Sequence, residues 1–402
     1  MPGKIFYGWV VVAAAAAIIG VGIGALFALG VFLKPIEEAL GWGRGAISSA
    51  ALLNWVIFGL GSFVWGILSD RIGTRTVVLS GGALLGLGLV LSSQVTALWH
   101  FYVSFGLMVG IGVSAFYVPL TATATKWFSA RRGLAVAIVS AGNGLGVLLL
   151  SPLSRWLISA YDWRSALLLL GQLAWLVVIP AGLLVRNHPG DLGASAYGDG
   201  PARPVRPEME SRDVLRSVSF WTIAATHFAC CSAHSGAIFH MVAHAMDQGV
   251  AKMAAATLLG ASGFSSIFGR LGAGMLADRF GPKLTLIVTL GLQALVVLLF
   301  LFSRELGTLY AVAVIFGLAY GGVMPLYALV TRDYFGERVM GTIYGGVFFI
   351  SSIGMGLGSY AGGYLFDLLG SYNWLYLGSF LVGAAAVAMA ATLRPPRPRV
   401  AD

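Results

Sequence analysis

Apolar stretches long enough to cross a lipid bilayer as helices recur along almost the whole chain. A transmembrane helix needs roughly 20 apolar residues to span a hydrocarbon core of about 30 Å. The 402 residues are 58% hydrophobic and 10% charged, with a mean hydropathy of +0.86, which excludes an ordinary soluble globular protein. The sequence therefore predicts an all-α membrane protein, with no room for a separate soluble catalytic domain.

The apolar runs number twelve and fall into two groups of six. They cover residues 6 to 33, 47 to 69, 76 to 95, 99 to 125, 133 to 157, 164 to 185, 218 to 246, 251 to 277, 284 to 303, 307 to 331, 339 to 366 and 372 to 393. The stretch between the groups mixes prolines with charges, as linkers do. We predict a six-helix bundle over 1–186, a cytoplasmic linker over 187–216 and a second six-helix bundle over 217–402.

The lysines and arginines lie mainly on one side of this predicted topology. If both termini are cytoplasmic, 18 of the 25 fall in cytoplasmic loops and tails and 6 in external loops, while Arg270 remains inside a span. The positive-inside rule therefore predicts that both termini are cytoplasmic. We expect the membrane to be a cell inner membrane. The basic residues are dispersed at the ends of apolar runs, so the net charge of +9 does not predict a nucleic acid partner.

Cofactor, metal and catalytic motifs are missing from the sequence. The only cysteines, Cys230 and Cys231, are adjacent, and there is no CxxC, HExxH or GxxxxGK[ST] pattern. No acidic residue falls near the middle of a span, where a membrane-embedded hydrolase would place paired carboxylates. We therefore predict no cofactor, no metal and no enzymatic activity.

The two groups of six runs share an internal repeat. Residues 66–75, GILSDRIGTR, match residues 274–283, GMLADRFGPK, at an offset of 208. Residues 119–128 resemble residues 325–335 at nearly the same offset. Two repeated six-helix halves are an architecture of secondary transporters, which bind substrate at the midplane between the halves.

The repeated pattern G-x-L-x-D-R-x-G-x-R/K resembles the loop signature of the major facilitator superfamily. The resemblance covers nearly the whole chain and implies twelve helices in two pseudo-symmetric halves. Acidic and basic side chains at helix ends suit a cytoplasmic latch that breaks during alternation, although a turn with positive-inside charge would give the same residues. The candidate latch residues are Asp70, Arg71, Arg75, Asp278, Arg279, Lys283, Arg131 and Arg132.

A longer segment resembles one family within that superfamily. Residues 126–146, KWFSARRGLAVAIVSAGNGLG, are similar to the monocarboxylate transporter pattern that leads into the fifth span. Residues 6–9 and 31–34 also resemble that family and its oxalate:formate antiporter relatives. The resemblance implies proton-coupled symport of small monocarboxylates such as L-lactate or pyruvate, with one chain as the functional unit. The alternatives are anion exchange of the oxalate:formate type and a non-transporting sensor on a transporter scaffold.

The same resemblance implies an arginine in the eighth span that binds the substrate carboxylate, often with an aspartate four residues earlier. Arg270 matches the arginine, but Ser266 stands at the position of the aspartate. An arginine in hydrocarbon costs at least about 2.5 kcal/mol, and the repeat aligns Arg270 with Ser62, so the shared scaffold does not require it. We predict that Arg270 binds a carboxylate; the alternative is donation to carbonyls of a neighbouring helix.

Other side chains are predicted to share the depth of Arg270, at a rise of about 1.5 Å per residue. The predicted substrate-binding residues besides Arg270 are Tyr117, Asn143, Tyr320 and Phe349. Each has the alternative of simple packing or interhelical hydrogen bonding. His227 and His234 share one face of the seventh span, and we predict them as proton carriers in place of the missing aspartate.

Overall fold

The computed structural model describes residues 6–128, 132–198, 211–335 and 340–394, and it confirms the all-helical membrane fold. Twelve helical segments of membrane length lie in these ranges. They are α1 (Tyr7–Leu40), α2 (Arg44–Ile72), α3 (Thr74–Ser92), α4 (from Leu98 to Trp127), α5 (Arg132–Ala160), α6 (Trp163–Leu184), α7 (Val218–Asp247), α8 (Lys252–Phe280), α9 (Pro282–Leu299), α10 (Leu306–Phe335), α11 (Met340–Leu369) and α12 (Asn373–Thr392). Six precede the predicted linker and six follow it.

Ten of these helices are apolar enough to cross a membrane on length and composition alone, and α7 and α8 are not among them. The reason lies in their polar side chains: α7 carries four histidines and α8 carries Arg270. All four histidines are 5% exposed or less. Both helices therefore turn polar groups toward the protein, as polar residues within a bilayer must.

Two spans differ from the predicted ones by more than a few residues at their ends. The first was predicted to end at residue 33, but α1 continues through Lys34 and Pro35 to Leu40, after a turn at Ala28. The fourth was predicted as one run, but α4 contains a π-helix over Tyr102–Val109 and a break before Tyr117. Such interruptions occur where packing adjusts a helix, and here the glycines of α4 lie against the backbones of α2 and α3.

Close helix packing within each half follows the sequence repeat. A Cβ atom at Gly142 or Gly146 of α5 would overlap the backbone of α1, and one at Gly354 or Gly358 of α11 would overlap the backbone of α7. Small residues allow such close approach between membrane helices. The pairs α1 with α5 and α7 with α11 occupy equivalent places in the two halves.

The two halves meet through α2 with α11 and through α5 with α8. Gly144 of α5 lies against Gly263 and Ile267 of α8, and Gly59 of α2 lies against Phe349 of α11. We call the end of the bundle where α6 ends and α7 begins the linker end, and the opposite end the far end.

Within the described residues, the two halves separate toward the linker end. Gly274 lies on the same face of α8 as Gly263 and Ile267, and Gly345 lies on the same face of α11 as Phe349. A Cβ at Gly274 or Gly345 would meet nothing within 4 Å in the described part of the chain. The hydrogen bonds and ion pairs of Lys34, Arg44 and Gly45 with Asp247, Asp367 and Tyr372 join the two halves at the far end.

Candidate substrate site between the two halves

Arg270 lies where the two halves begin to separate. It shares the face of α8 that contacts α5 at Gly263, and its Cα is about 10 Å further along the helix toward the linker end. The next residue on this face, Gly274, already borders open space. The half-buried Arg270 side chain therefore stands at the inner limit of the gap.

The guanidinium of Arg270 has one polar partner among the described residues. Its Nη1 donates to Ser266 Oγ at 3.0 Å, and that hydroxyl donates to the carbonyl oxygen of Gly263 at 2.7 Å. None of the ion pairs formed by described residues includes Arg270, and no bond from it to a neighbouring helix carbonyl is present in those ranges. Because a guanidinium carries five N–H donors, most of its donor capacity is left for a ligand or water.

The predicted first-half residues lie on α4 and α5. The Tyr117 hydroxyl is 3.3 Å from Ser140 Oγ. Asn143 precedes Gly144 at the α5–α8 crossing, and its buried Oδ1 has no hydrogen-bond partner in the described structure. A buried acceptor without a donor is unfavourable by about 1–3 kcal/mol, so Asn143 suits a site that is completed by another molecule.

Tyr320 of α10 lies at the depth of Ser266, because the neighbouring Gly321 packs directly against the Ser266 backbone. The Tyr320 ring is buried, with its centroid 5.7 Å from that of His234 and 5.3 Å from that of Phe316. Tyr320 is therefore about one helical turn from Arg270 in depth.

Two adjacent aromatic residues of α11, Phe348 and Phe349, contact the first half, and the sequence prediction named only Phe349. Phe349 packs against Gly59 at the α2–α11 contact. Phe348 stacks on Tyr117, with centroids 6.4 Å apart, and its ring lies 5.8 Å from that of Phe58. Sequence reasoning missed Phe348 because adjacent helical residues differ only in direction, and the contacts that decide which one meets Tyr117 come from the other half.

The two predicted proton carriers have different surroundings. His234 stacks on Tyr320, and its Nδ1 is 3.9 Å from the sulfur of Cys230. His227 is fully buried against Tyr327, with ring centroids 3.9 Å apart, and neither of its nitrogens has a partner in the described residues. Only His234 thus touches a predicted substrate-binding residue.

The predicted cytoplasmic latch is described only in part. Arg131 and the side chains of Asp70, Asp278 and Arg132 lie outside the described structure.

The other latch candidates have contacts that the structure does describe. The backbone N–H of Arg75 donates to Asn187 Oδ1 at 3.3 Å, and Lys283 Nζ donates to the carbonyl oxygens of Ala391 and Leu393. Arg71 and Arg279 are exposed. The hydrogen bonds of Arg75 and Lys283 therefore stay within one half, and the closing of the latch stays a prediction.

The chain matches known transporter sequences over nearly its whole length. The family model described as Major Facilitator Superfamily matches residues 10–359, with a second match over 273–402. Monocarboxylate transporter 13 of Rattus norvegicus is 31% identical across 95% of this chain and 88% of its own length. Monocarboxylate transporter 11 of Homo sapiens is 32% identical across 95% of this chain and 82% of its own length.

A solved structure shares the fold. A bacterial homolog of the human lysosomal transporter Spinster, in an inward-facing and unoccupied conformation, superposes with a TM-score of 0.73 at 16% identity, covering 97% of this chain and 95% of that one. The resemblance inferred from the repeated loop and from residues 126–146 is confirmed. The chain belongs to the major facilitator superfamily and, within it, to the monocarboxylate transporter family.

Proposed function

We propose that this protein is a secondary active transporter of small monocarboxylates such as L-lactate or pyruvate. The observation that carries the proposal is the half-buried Arg270 guanidinium, which has no carboxylate partner among the described residues and lies where the halves separate. A planar guanidinium binds a carboxylate through two parallel hydrogen bonds. Relatives named monocarboxylate transporters add support.

In this proposal the linker end faces the cytoplasm of a cell inner membrane and the protein alternates between two openings. The substrate carboxylate enters the gap and binds Arg270, with Tyr117 and Tyr320 donating to its oxygens. The unpaired Asn143 Oδ1 accepts from a substrate hydroxyl such as that of L-lactate. Phe348 and Phe349 form the apolar wall for a short aliphatic tail. Binding neutralises the guanidinium, which lowers the cost of enclosing it when the halves close on the linker side.

Proton coupling in this proposal uses His234. The aspartate that the family resemblance places beside the arginine is replaced by Ser266, so the proton needs another carrier. His234 stacks on Tyr320, and an imidazole is the side chain best suited to take up and release a proton near neutral pH. We propose His234 ahead of His227, because His227 contacts Tyr327 in the buried core of the second half.

Uptake of labelled L-lactate into proteoliposomes tests the function. We expect an inward proton gradient to accelerate uptake and drive accumulation, and a protonophore to abolish the accumulation. Anion exchange is the second candidate, favoured by the missing carboxylate at Ser266. It predicts uptake only into vesicles preloaded with an anion. Absence of lactate and pyruvate flux under both conditions would contradict the proposal and favour a sensor.

The coupling step has a separate test. We expect His234→Gln to keep lactate exchange between preloaded vesicles while losing stimulation by the proton gradient. His188→Gln, at an exposed position after α6, is the matched control and should behave like the wild type. Gradient stimulation that survives in the double variant His227→Gln/His234→Gln would rule out both histidines.

A further inference from the structure

The far end of the gap is closed around one buried arginine, Arg44, the first residue of α2. Its Nη1 and Nη2 bind the Asp247 carboxylate at 2.6 and 3.1 Å, and its Nε binds Glu37 at 2.8 Å. Nη1 also donates to the Tyr372 hydroxyl at 2.8 Å, and the guanidinium lies 3.8 Å from the centre of the Phe366 ring. The Arg44 side chain is only 5% exposed, because the carboxylates and the hydroxyl occupy the edge of the guanidinium and Phe366 covers one of its faces.

These partners come from both halves of the protein. Glu37 belongs to α1 in the first half, whereas Asp247, Phe366 and Tyr372 follow the linker, on α7, α11 and the turn before α12. Separation of the halves at the far end would leave Arg44 with Glu37 alone. Charge-assisted bidentate contacts of this kind are among the stronger polar interactions in proteins.

The start of α2 also depends on the second half. The backbone N–H groups of Arg44 and Gly45 donate to the two carboxylate oxygens of Asp367 on α11, at 2.9 and 2.7 Å. The preceding residue, Gly43, provides no side-chain cap. A cation in the first turn is unfavourable to the helix dipole and a carboxylate there is favourable, so Asp367 compensates for the position of Arg44.

His240 fixes the orientation of the tyrosine in this cluster. Its Nδ1 lies 3.2 Å from the Tyr372 hydroxyl and its Nε2 lies 2.9 Å from the carbonyl oxygen of Ser359. The tyrosine is therefore held from the second half while its hydroxyl accepts from Arg44. A hydrogen-bonded network of buried groups specifies one arrangement more strictly than isolated contacts do.

The repeat provides an internal reference for Arg44. Lys252, 208 residues later, is the first residue of α8 and therefore occupies the equivalent position in the second half. It is exposed, and within the described residues it forms no ion pair or side-chain hydrogen bond. The shared scaffold thus does not require a buried cation at this position. In the described part of the chain, the cluster forms at the start of α2 and not at the start of α8.

We infer that Arg44 is the positioning residue that holds the far end closed and so sets which side the substrate site faces. It binds Asp247 and Tyr372 while the gap is open at the linker end. When the far end opens, it keeps Glu37 and exchanges the second-half partners for water. This inference rests on the alternating access proposed above, but not on the identity of the substrate.

The test is a distance measurement across the far end in the full-length protein. Spin labels replace Gln94 and Arg304, which are exposed at the far ends of the first and second halves, with Cys230 and Cys231 changed to alanine. We expect Arg44→Gln to raise the ratio of long to short distances by about tenfold, because the bonds to Asp247 and Tyr372 are lost. Lys252→Gln, the repeat-matched control, should leave the distribution unchanged.

A milder variant keeps the inference testable if Arg44→Gln does not fold. Tyr372→Phe removes one hydrogen bond to Arg44 with almost no change of volume, and a smaller shift in the same direction is expected. If Arg44→Gln folds, an unchanged distance distribution in that variant would overturn the inference. If Arg44→Gln does not fold, an unchanged distribution in Tyr372→Phe would overturn it. Because no substrate is needed, the outcome is separate from that of the lactate experiment. Normal lactate uptake with unchanged distances would reject only the role of Arg44.

Discussion

Helices α2 and α8 are equivalent in the repeat and have the same length of 29 residues, yet each carries its buried or half-buried arginine at a different place. Arg44 begins α2, where α8 has the exposed Lys252. Arg270 lies within α8, where α2 has the buried Ser62. The two halves thus share a backbone plan but carry their buried or half-buried arginines at different places along equivalent helices.

The two arginines also differ in how their charge is compensated. Arg44 has two carboxylates, a hydroxyl and an aromatic face, all from the protein. Arg270 has a single described partner, the Ser266 hydroxyl. Removing a guanidinium from water is costly unless its donors are satisfied. The protein supplies the partners of Arg44, so that arginine links the two halves. Arg270 has few protein partners among the described residues, so its guanidinium can bind a ligand.

Removing the Arg270 charge should have the largest effect on transport. Loss of a buried charged partner costs about 3 kcal/mol or more, which is on the order of a 100-fold loss of affinity. We therefore expect Arg270→Gln to reduce lactate uptake to background in proteoliposomes, with normal yield and thermal stability. Arg304→Gln, an exposed arginine at the far end, is the control. Near-normal uptake by Arg270→Gln would mean that the arginine is structural.

A carboxylate partner from the protein should make the surroundings of Arg270 resemble those of Arg44. Ser266 already contacts the guanidinium, so Ser266→Asp would place an anion beside it and raise the KM for lactate by about tenfold. Ser266→Asn has nearly the same size without the charge and should change KM much less. The aspartate becomes neutral as pH falls through its pKa, so the KM of Ser266→Asp should recover in acid. Equal KM values for the two variants would show that the charge at this position does not matter.

A smaller effect is expected from the outer ion pair of the far-end cluster. Lys34 and Asp247 are 2.9 Å apart, but their side chains are 23% and 25% exposed. Exposed pairs contribute about 0.2–1 kcal/mol, so Lys34→Gln should shift the far-end distance ratio less than fivefold. High ionic strength should remove its difference from the wild type. A shift as large as that of Arg44→Gln would place the main closing interaction at Lys34 instead.

Features that depend on local sequence could be predicted, and those that depend on distant partners could not. The helical spans follow from runs of apolar residues, and Arg270 stands out because it is a charge within such a run. The repeat adds that the shared scaffold does not require it, because Ser62 occupies the equivalent position. The sequence places Arg44 in an external loop but does not show its burial, since its partners Asp247 and Tyr372 are 203 and 328 residues away. The extension of α1 past Lys34 brings Lys34 to the same cluster, where it pairs with Asp247.

The carboxylate that Asp367 supplies to α2 has a consequence for isotope exchange. In the closed far end it shields the amide protons of Arg44 and Gly45. When the halves separate there, these amides lose their acceptor and are exposed to water. Amide exchange at the first turn of α2 therefore reports opening of the far end. Deuterium incorporation at this turn should follow the fraction of time that the far end is open, without any label on the protein.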